Sequence, residues 1–283
     1  MTRAQGATAE LVAPAKLIAA AVPFALSFAC SAPLMKLPPG PGAPAPDAAD
    51  LVTTATRACR AVNTLTAEVV VSGSAGGRKF RGRLSTGIEA PASARLEAVA
   101  PFGQPYFILV ARDNDATLLL PRDDRILEHA QPDAVLEAIA GVPLGTADLR
   151  AVLTGCGTNA AGVSRAERRG DDWLVVPDGD GRELYLRRIG TSGVWQLAAS
   201  AGRDWRAQYQ DFRDDLPRTI RVTGTAASGP AFDLQLELSQ VDVNVPLGRD
   251  VFSVRIPSSA QPITIDDLKK NGPLGTRARP DAK

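Results

Sequence analysis

Catalysis at neutral pH usually needs a histidine, an activated thiol or two carboxylates held together. This sequence is short of such groups. It has one histidine, His129, beside Glu128 at the end of an apolar run, and three cysteines, Cys30, Cys59 and Cys156. No Gly-x-Ser-x-Gly turn is present to expose a nucleophilic serine. The acidic clusters at 113–115, 123–124 and 214–215 fall where turns are expected, and Asp at turns bonds its own backbone. The run Asp178-Gly179-Asp180-Gly181 lacks the downstream Glu of an EF-hand loop and reads as a hairpin turn. One His, three Cys and two Met are too few for a multi-ligand transition-metal site, so neither metal nor cofactor is expected. No Gly-rich loop joins a strand to a helix, which argues against dinucleotide- and P-loop nucleotide-binding folds.

The chemistry these residues do support is attachment at one end of the chain. Arg3 and Lys16 precede LIAAAVPFALSFA, Leu17 to Ala29. This run is shorter than the roughly 20 residues of a membrane span and fits the apolar region of a secretory signal. Ala29 supplies the small residue before a cleavage point, and Cys30 follows at once. A Cys in that place resembles a bacterial lipobox, whose thiol takes a diacylglyceryl group and becomes the new amino terminus. Leu26 stands one place further out than the usual Leu, and Phe28 is bulky. The alternative is a plain signal peptide with an incidental Cys. Ser31 follows; in the lipoproteins this resembles, Ser there permits export to the outer membrane. Residues 31–47, SAPLMKLPPGPGAPAPD, have no periodicity and read as an extended spacer of about 3.1 Å per residue. The expected organisation is a signal peptide (1–29), a lipidated Cys with its tether (30–47), one domain (48–265) and a charged, mobile tail (266–283).

Without Cys30, the cysteines Cys59 and Cys156 remain. In an oxidising compartment they form either a disulfide or two buried free thiols. A disulfide would tie the first helix to the end of the central helical segment.

The rest of the chain must build the scaffold. Apolar residues make up 45% and charged ones 22% of the 283, which fits a globular domain. Lys and Arg number 32 against 31 Asp and Glu, so no charge footprint for nucleic acid is present. The preference for Arg over Lys reads as the codon bias of a GC-rich genome. Leu51, Ala55, Ala58 and Val62 share one face of a helix over 48–62, with Asp47 or Asp50 as its cap. The period then becomes two: 65–73, 79–87, 93–99, 106–112 and 116–122 read as strands separated by turn signals. Residues 131–156 carry two helices. Pro132 starts one, with Val135, Leu136 and Ile139 on its face and Gly141 as its stop. Thr146 caps the other, whose face is Leu149, Val152 and Leu153 and whose stop is Gly155. Strands resume at 172–178, 182–189, 194–200, 204–212, 218–225, 232–245 and 251–257. No fixed-period repeat occurs. The fold class is mainly β (α+β): an unclosed antiparallel half-barrel of about eleven strands, with helices over its concave face.

Three stretches in this order resemble the LolB-type outer-membrane lipoprotein insertion factors and, more distantly, the LolA carriers. They are SARLEAVAPFGQPYFILV (93–110), IAGVPLGTADLRAVLTG (139–155) and GRDWRAQYQDFRDDLPRTIRV (202–222), and the resemblance covers about 50–245. It implies an unclosed barrel that holds acyl chains on its concave face. Pro101, Phe102 and Gly103 match the family's protruding loop, whose apolar tip touches the membrane; Phe102 stands at that tip. Pro143 and Leu144 match the helical lid, and Trp205 and Tyr209 the paired aromatic strand positions. The Cys59/Cys156 pair is no part of the family pattern, and the chain after 245 looks more like other LolA-fold lipoproteins.

Strand parity nominates cavity residues: Val69, Val71, Phe80, Leu84, Leu96, Tyr106, Ile108, Leu118 and Leu120, with Leu136 and Ile139 on the lid. The expected protein is a monomeric, lipid-anchored outer-membrane lipoprotein facing the periplasm. It is not an enzyme. It binds lipoprotein acyl chains or a similar amphiphile, receives them from a LolA-like periplasmic carrier, and helps insert them. A structural, partner-binding envelope lipoprotein is the alternative, and an envelope hydrolase ranks third. A carrier requires a deep apolar groove, a scaffold a filled core with an exposed patch, and an enzyme converging polar groups.

Overall fold

The structure, a computed structural model, describes residues 35–156, 163–177, 181–190, 193–225, 231–248 and 250–271. The expected signal peptide, Cys30, most of the 178–181 turn and the chain beyond 271 lie outside the described residues. No described helix is long and apolar enough to cross a membrane.

The chain begins with β1 (Ala43–Pro44), α1 (Ala48–Ala55) and α2 (Arg57–Arg60). A first meander follows: β2 (Thr64–Ala75), β3 (Arg78–Glu89), β4 (Ser93–Val99), β5 (Ile108–Arg112), β6 (Asp115–Leu120) and β7 (Arg125–Ala130). The helices α3 (Pro132–Ala140) and α4 (Thr146–Thr154) carry the chain to a second meander. That comprises β8 (Glu167–Arg169), β9 (Trp173–Pro177), β10 (Glu183–Ile189), β11 (Val194–Ala201), β12 (Trp205–Gln210), β13 (Thr219–Thr225) and β14 (Ala231–Val243). The described chain ends with β15 (Gln261–Pro262) and α5 (Ile265–Asn271).

All these strands form one sheet, β1-β8-β9-β10-β11-β12-β13-β14-β2-β3-β4-β5-β6-β7-β15. The meanders meet where β14 pairs with β2, Leu236 opposite Val71 and Leu238 opposite Val69. Every pairing is antiparallel except β15 with β7. The sheet does not close, since β1 and β15 lie at opposite edges.

It has 15 strands rather than the expected eleven or so. Two of the additions, β1 and β15, are two-residue pairings, and β8 has three residues, too short for any alternation to register. In β7 two adjacent residues, Ile126 and Leu127, are both buried, so the period of two is lost.

Along the longer strands, alternate side chains enter one core. Leu65, Leu96, Leu109, Leu118, Leu174, Leu186, Ile220 and Leu234 all belong to it. A flat sheet of this strand number would be on the order of 70 Å wide. The nine-residue helices α3 and α4 reach only about 14 Å each. Yet α4 meets β4 on one side and, through the Ala151 carbonyl and Tyr209, β12 on the other, strands that lie five places apart in the sheet, so the sheet must curl around the helices.

Helix boundaries follow their punctuation. Pro132 opens α3, and Gly141 ends it in the left-handed region. Gly155 ends α4 likewise. Thr146 is the first helical residue, not the cap; Gly145 takes that place, and the Thr146 hydroxyl donates to the Asp113 carbonyl at 2.9 Å. The expected single helix over 48–62 breaks at Thr56, whose hydroxyl donates back to the Val52 carbonyl. The Asp47 carboxylate binds Arg168 at 2.7 Å instead of capping.

Both ends of the described chain differ from expectation. The Pro/Gly-rich stretch is no free spacer from residue 35 onward. Met35 and Leu37 pack on a small outer-face cluster of Trp173, Val175, Tyr185 and Ala199, and Ala43 and Pro44 pair with β8. Residues 251–257 form a strap, not a strand. The Arg95 guanidinium, at 3.1 and 3.2 Å, takes the carbonyls of Val251 and Ser253 that a neighbouring strand would need, and Arg112 lies 5.9 Å from the Phe252 ring. The supposed tail begins as α5, with Leu268 buried in the core. Thr264 and Asp267 start that helix with a reciprocal cap: the Asp267 carboxylate accepts from the Thr264 amide at 3.0 Å, and the Thr264 hydroxyl accepts from the Asp267 amide at 3.2 Å.

Cys59 and Cys156 are bonded, with Cα atoms 5.5 Å apart and a sequence separation of 97. A loop of this length gives about 4.7 kcal/mol in the chain-entropy model, and removals typically cost about 2–5 kcal/mol. At about 3 °C per kcal/mol for a domain this size, the Cys59→Ala/Cys156→Ala variant should melt about 10 °C lower. A thermal melt with and without reductant checks this. An unchanged midpoint would show that the covalent tie adds nothing to packing.

Candidate functional site

The apolar core is not fully packed. Between the inner face of the sheet and the helices lies a cavity of about 160 Å³. Its floor is Val71, Leu84, Leu96, Phe107, Val222, Leu234 and Leu236; its roof is Leu136, Ile139, Leu149, Val152 and Leu153, with Val142 and Leu144 from the α3–α4 link. Arg81 and Gly82 of β3 stand at its margin. Leu84, Leu149 and Leu236 are only half-buried, which marks the side open to solvent.

Gly82 matters by what it lacks. It pairs with Val71, so a Cβ there would point to the inner face. Such an atom would meet nothing within 4 Å.

The roof is fixed unevenly. Several polar ties hold α4. Asp148 binds Arg182 at 2.6 Å; Arg150 donates to the Val62 carbonyl at 2.9 Å; Cys156, just past its end, carries the disulfide. The buried Tyr209 hydroxyl lies 2.6 Å from Ser200 Oγ and 3.4 Å from the Ala151 carbonyl. Burial pushes the Tyr209 phenol well above its ordinary value, so it stays neutral. Burial also raises the Asp148 carboxyl, against the opposing charge of Arg182. By contrast, α3 is seated through apolar side chains: Val135, Leu136 and Ile139 share the core with Leu268 of α5.

The loop between β4 and β5 leaves the sheet on the side of the β2–β3 hairpin, because β4 runs antiparallel to β3 and Val99 ends it opposite Arg83, half-way along β3. Phe102 is 90% exposed there, and Gly103 turns the chain with φ of 77°. Arg122, from the turn between β6 and β7, organises the loop. It donates to the carbonyls of Gln104 at 2.9 Å and Phe102 at 3.2 Å and lies 4.0 Å from the Tyr106 ring centroid.

Of the residues nominated from sequence, Val71, Leu84, Leu96, Leu136, Ile139 and Leu144 surround the cavity. Val69, Leu118 and Leu120 are buried in the core beside it. Pro143 is half-buried in the α3–α4 link. Trp205 and Tyr209 are core residues of β12. Phe80 lies in β3; its side chain is outside what the structure describes. Tyr106 and Ile108 require correction. The inner face of this strand carries Phe107, Leu109 and Ala111, and Tyr106 is exposed beneath Arg122. Here the run is apolar on both faces: Val110, Leu119 and Ile126 are buried on the side the strap crosses, so alternation gave no parity. Phe107, Gly82 and the second-meander residues Val222, Leu234 and Leu236 were missed. No local signal marks Gly82, because its role depends on which face it occupies.

A wider hollow of about 850 Å³ lies at the β12–β13 turn. Its polar groups satisfy each other: Asp211 accepts from Thr219 at 2.6 Å, and Arg218 donates to the carbonyls of Leu216 and Pro217. His129 is exposed, 3.4 Å from Asp115. Among the described residues no group of three or more His, Cys, Asp or Glu could hold a metal.

No family model matches the chain, and no curated protein matches it. Solved structures do. A LolA superfamily protein from Nitrosomonas europaea is 13% identical with a TM-score of 0.49, covering 73% of this chain and 97% of its own. A DUF1329 family protein from Desulfovibrio piger is 12% identical with a TM-score of 0.43, covering 74% and 97%. The Mycobacterium tuberculosis lipoprotein LppX is 11% identical with a TM-score of 0.31, covering 72% and 98%.

Filling the gap at Gly82 tests the cavity directly. Its φ is outside the left-handed region, so Gly82→Leu should fold with stability unchanged or raised by about 1 kcal/mol. Uptake of a fluorescent fatty-acid analogue, followed by titration, should fall at least tenfold. Wild-type uptake by a stably folded variant would mean that apolar ligands bind elsewhere.

Proposed function

We propose that this chain is a LolB-like, lipid-anchored lipoprotein of the outer membrane that faces the periplasm. It takes acyl chains of lipoproteins, or of a similar amphiphile, into the cavity beneath α3 and α4 and helps insert them into the membrane. Cys30 is the anchor, a LolA-like periplasmic carrier the donor, and no covalent step is needed. The observation that carries this reading is the apolar cavity, with its margin at Arg81 and Gly82, on the end of the sheet that presents Phe102.

The magnitudes suit reversible holding. Each buried methylene contributes about 0.8 kcal/mol, so ten supply about 8 kcal/mol. The cavity of about 160 Å³ is below the usual ligand-pocket range of about 300–1,000 Å³. Entry therefore requires the roof to lift. With α4 tied by the disulfide and Asp148, the part that moves is α3 with the 141–145 link. A filled core with an exposed tip is also what a partner-binding scaffold needs, and the small volume is the observation that favours that second reading.

Native mass spectrometry of the chain from Ser31, purified from a bacterial host, separates the two. A near-stoichiometric acyl ligand supports the carrier. A ligand-free protein that also refuses fluorescent fatty acids supports the scaffold. For the tip, Phe102→Glu should leave fatty-acid uptake within twofold of wild type and slow delivery of a bound lipoprotein to vesicles at least tenfold. Unimpaired delivery would remove Phe102 from the mechanism.

A further inference from the structure

Several guanidiniums on the surface have acidic partners: Arg95 binds Glu97, Arg221 binds Asp233, Arg168 binds Asp47 and Arg188 binds Asp172. The β2–β3 hairpin instead gathers cations without them. Arg78, Lys79, Arg81 and Arg83 are all exposed, and none has an ion-pair or side-chain hydrogen-bond partner among the described residues. Strand parity puts Lys79, Arg81 and Arg83 on the outer face. Their pairing partners are neutral: Ser74, Ser72 and Val70 on β2, with Val99 of β4 opposite Arg83. In a chain of net charge +1, four unmatched cations on one hairpin form a pronounced local excess.

The excess adjoins apolar surface. Val99 is 39% exposed and Tyr106 43%, and Phe102 projects from the loop they bracket. Arg81 also stands at the cavity margin. Cations beside a solvent-exposed aromatic tip are complementary to one kind of partner, a bilayer surface bearing acidic headgroups.

We infer that Arg78, Lys79, Arg81 and Arg83 dock this end of the sheet on acidic phospholipid, with Phe102 inserted beside them and the cavity mouth facing the bilayer. The docking gives the proposed carrier its membrane partner and rests on that reading for its purpose. Each cation near an acidic surface strengthens binding roughly fivefold, and salt weakens the attraction.

The test is co-sedimentation of the chain from Ser31 with vesicles of phosphatidylcholine alone or mixed with phosphatidylglycerol, at low and high salt. The wild type should prefer the acidic vesicles at least a hundredfold at low salt and lose most of that preference at high salt. Lys79→Gln/Arg83→Gln should reduce the preference roughly 25-fold while leaving fatty-acid uptake unchanged. Phe102→Ser should weaken binding to both kinds of vesicle and keep the preference. Equal binding of the wild type to both vesicles, or an unchanged preference in the double variant, overturns the inference. Displacement from acidic vesicles by single-stranded RNA at equal phosphate overturns it too, by revealing a general polyanion surface. Loss of fatty-acid uptake in the wild type with the preference intact would sink the carrier reading and leave the docking surface standing.

Discussion

One continuous sheet exposes one continuous apolar face, and short helices must cover it. That demand organises the molecule. The first meander ends at β7 at one side and the second begins at β8 at the other, so the crossover must pass over the inner face. It does so as α3 and α4, each nine residues long. Their coverage is incomplete, and the cavity beside Gly82 is where it fails. The disulfide contributes about 2–5 kcal/mol and fixes the half of the roof that borders the second meander.

The outer face obeys a complementary rule. It is apolar only where something covers it. Trp173 and Tyr185 lie under Met35 and Leu37. At the other side Val110, Leu119 and Ile126 are buried, and Phe252 is held in the strap that Arg95 pins. Between these ends the face is polar, with Ser72, Arg83, Arg221, Asp233 and Glu237 on neighbouring strands. The edges are closed by two-residue strands, which leaves little free ladder for another chain to extend.

Much of this was legible in the sequence. Pro132, Gly141 and Gly155 delimit α3 and α4 because a proline opens and a left-handed glycine closes a helix whatever surrounds it. Alternation found the inner faces of β2 and β4, where the opposite face meets water. It failed in β5, where burial on both sides erased the period and moved Tyr106 and Ile108 to the wrong face. It also turned the strap into a strand, because Phe252, Val254 and Ile256 alternate with Ser253 and Arg255 without any neighbouring strand to pair with. The start of α5 was readable in Thr264 and Asp267, but the surrounding charges suggested a tail. Three of the seven floor residues, Val222, Leu234 and Leu236, come from β13 and β14, and no local pattern reveals that β14 will return to lie against β2.

The placement of the cavity bears on what it is for. A permanent store for an apolar ligand would be enclosed on every side and filled. This cavity is small, apolar and margined by Gly82, where a side chain would have open space to fill, and it has one roof element tied by polar bonds and a disulfide and another whose inner face is seated by Val135, Leu136 and Ile139. Contacts of that kind are non-directional, so the inner face of α3 can slide and re-pack, whereas moving α4 would strand Asp148 from Arg182 and is limited by the disulfide at Cys156. An acyl chain that entered under α3 would replace those contacts with equivalent ones at little net change. Holding and release then differ by only the few methylenes that remain uncovered at the margin. On the carrier reading, that near balance is what allows cargo to leave toward a bilayer without an energy source, and it places the deciding step at the end of the sheet where Phe102 and the hairpin cations meet the membrane.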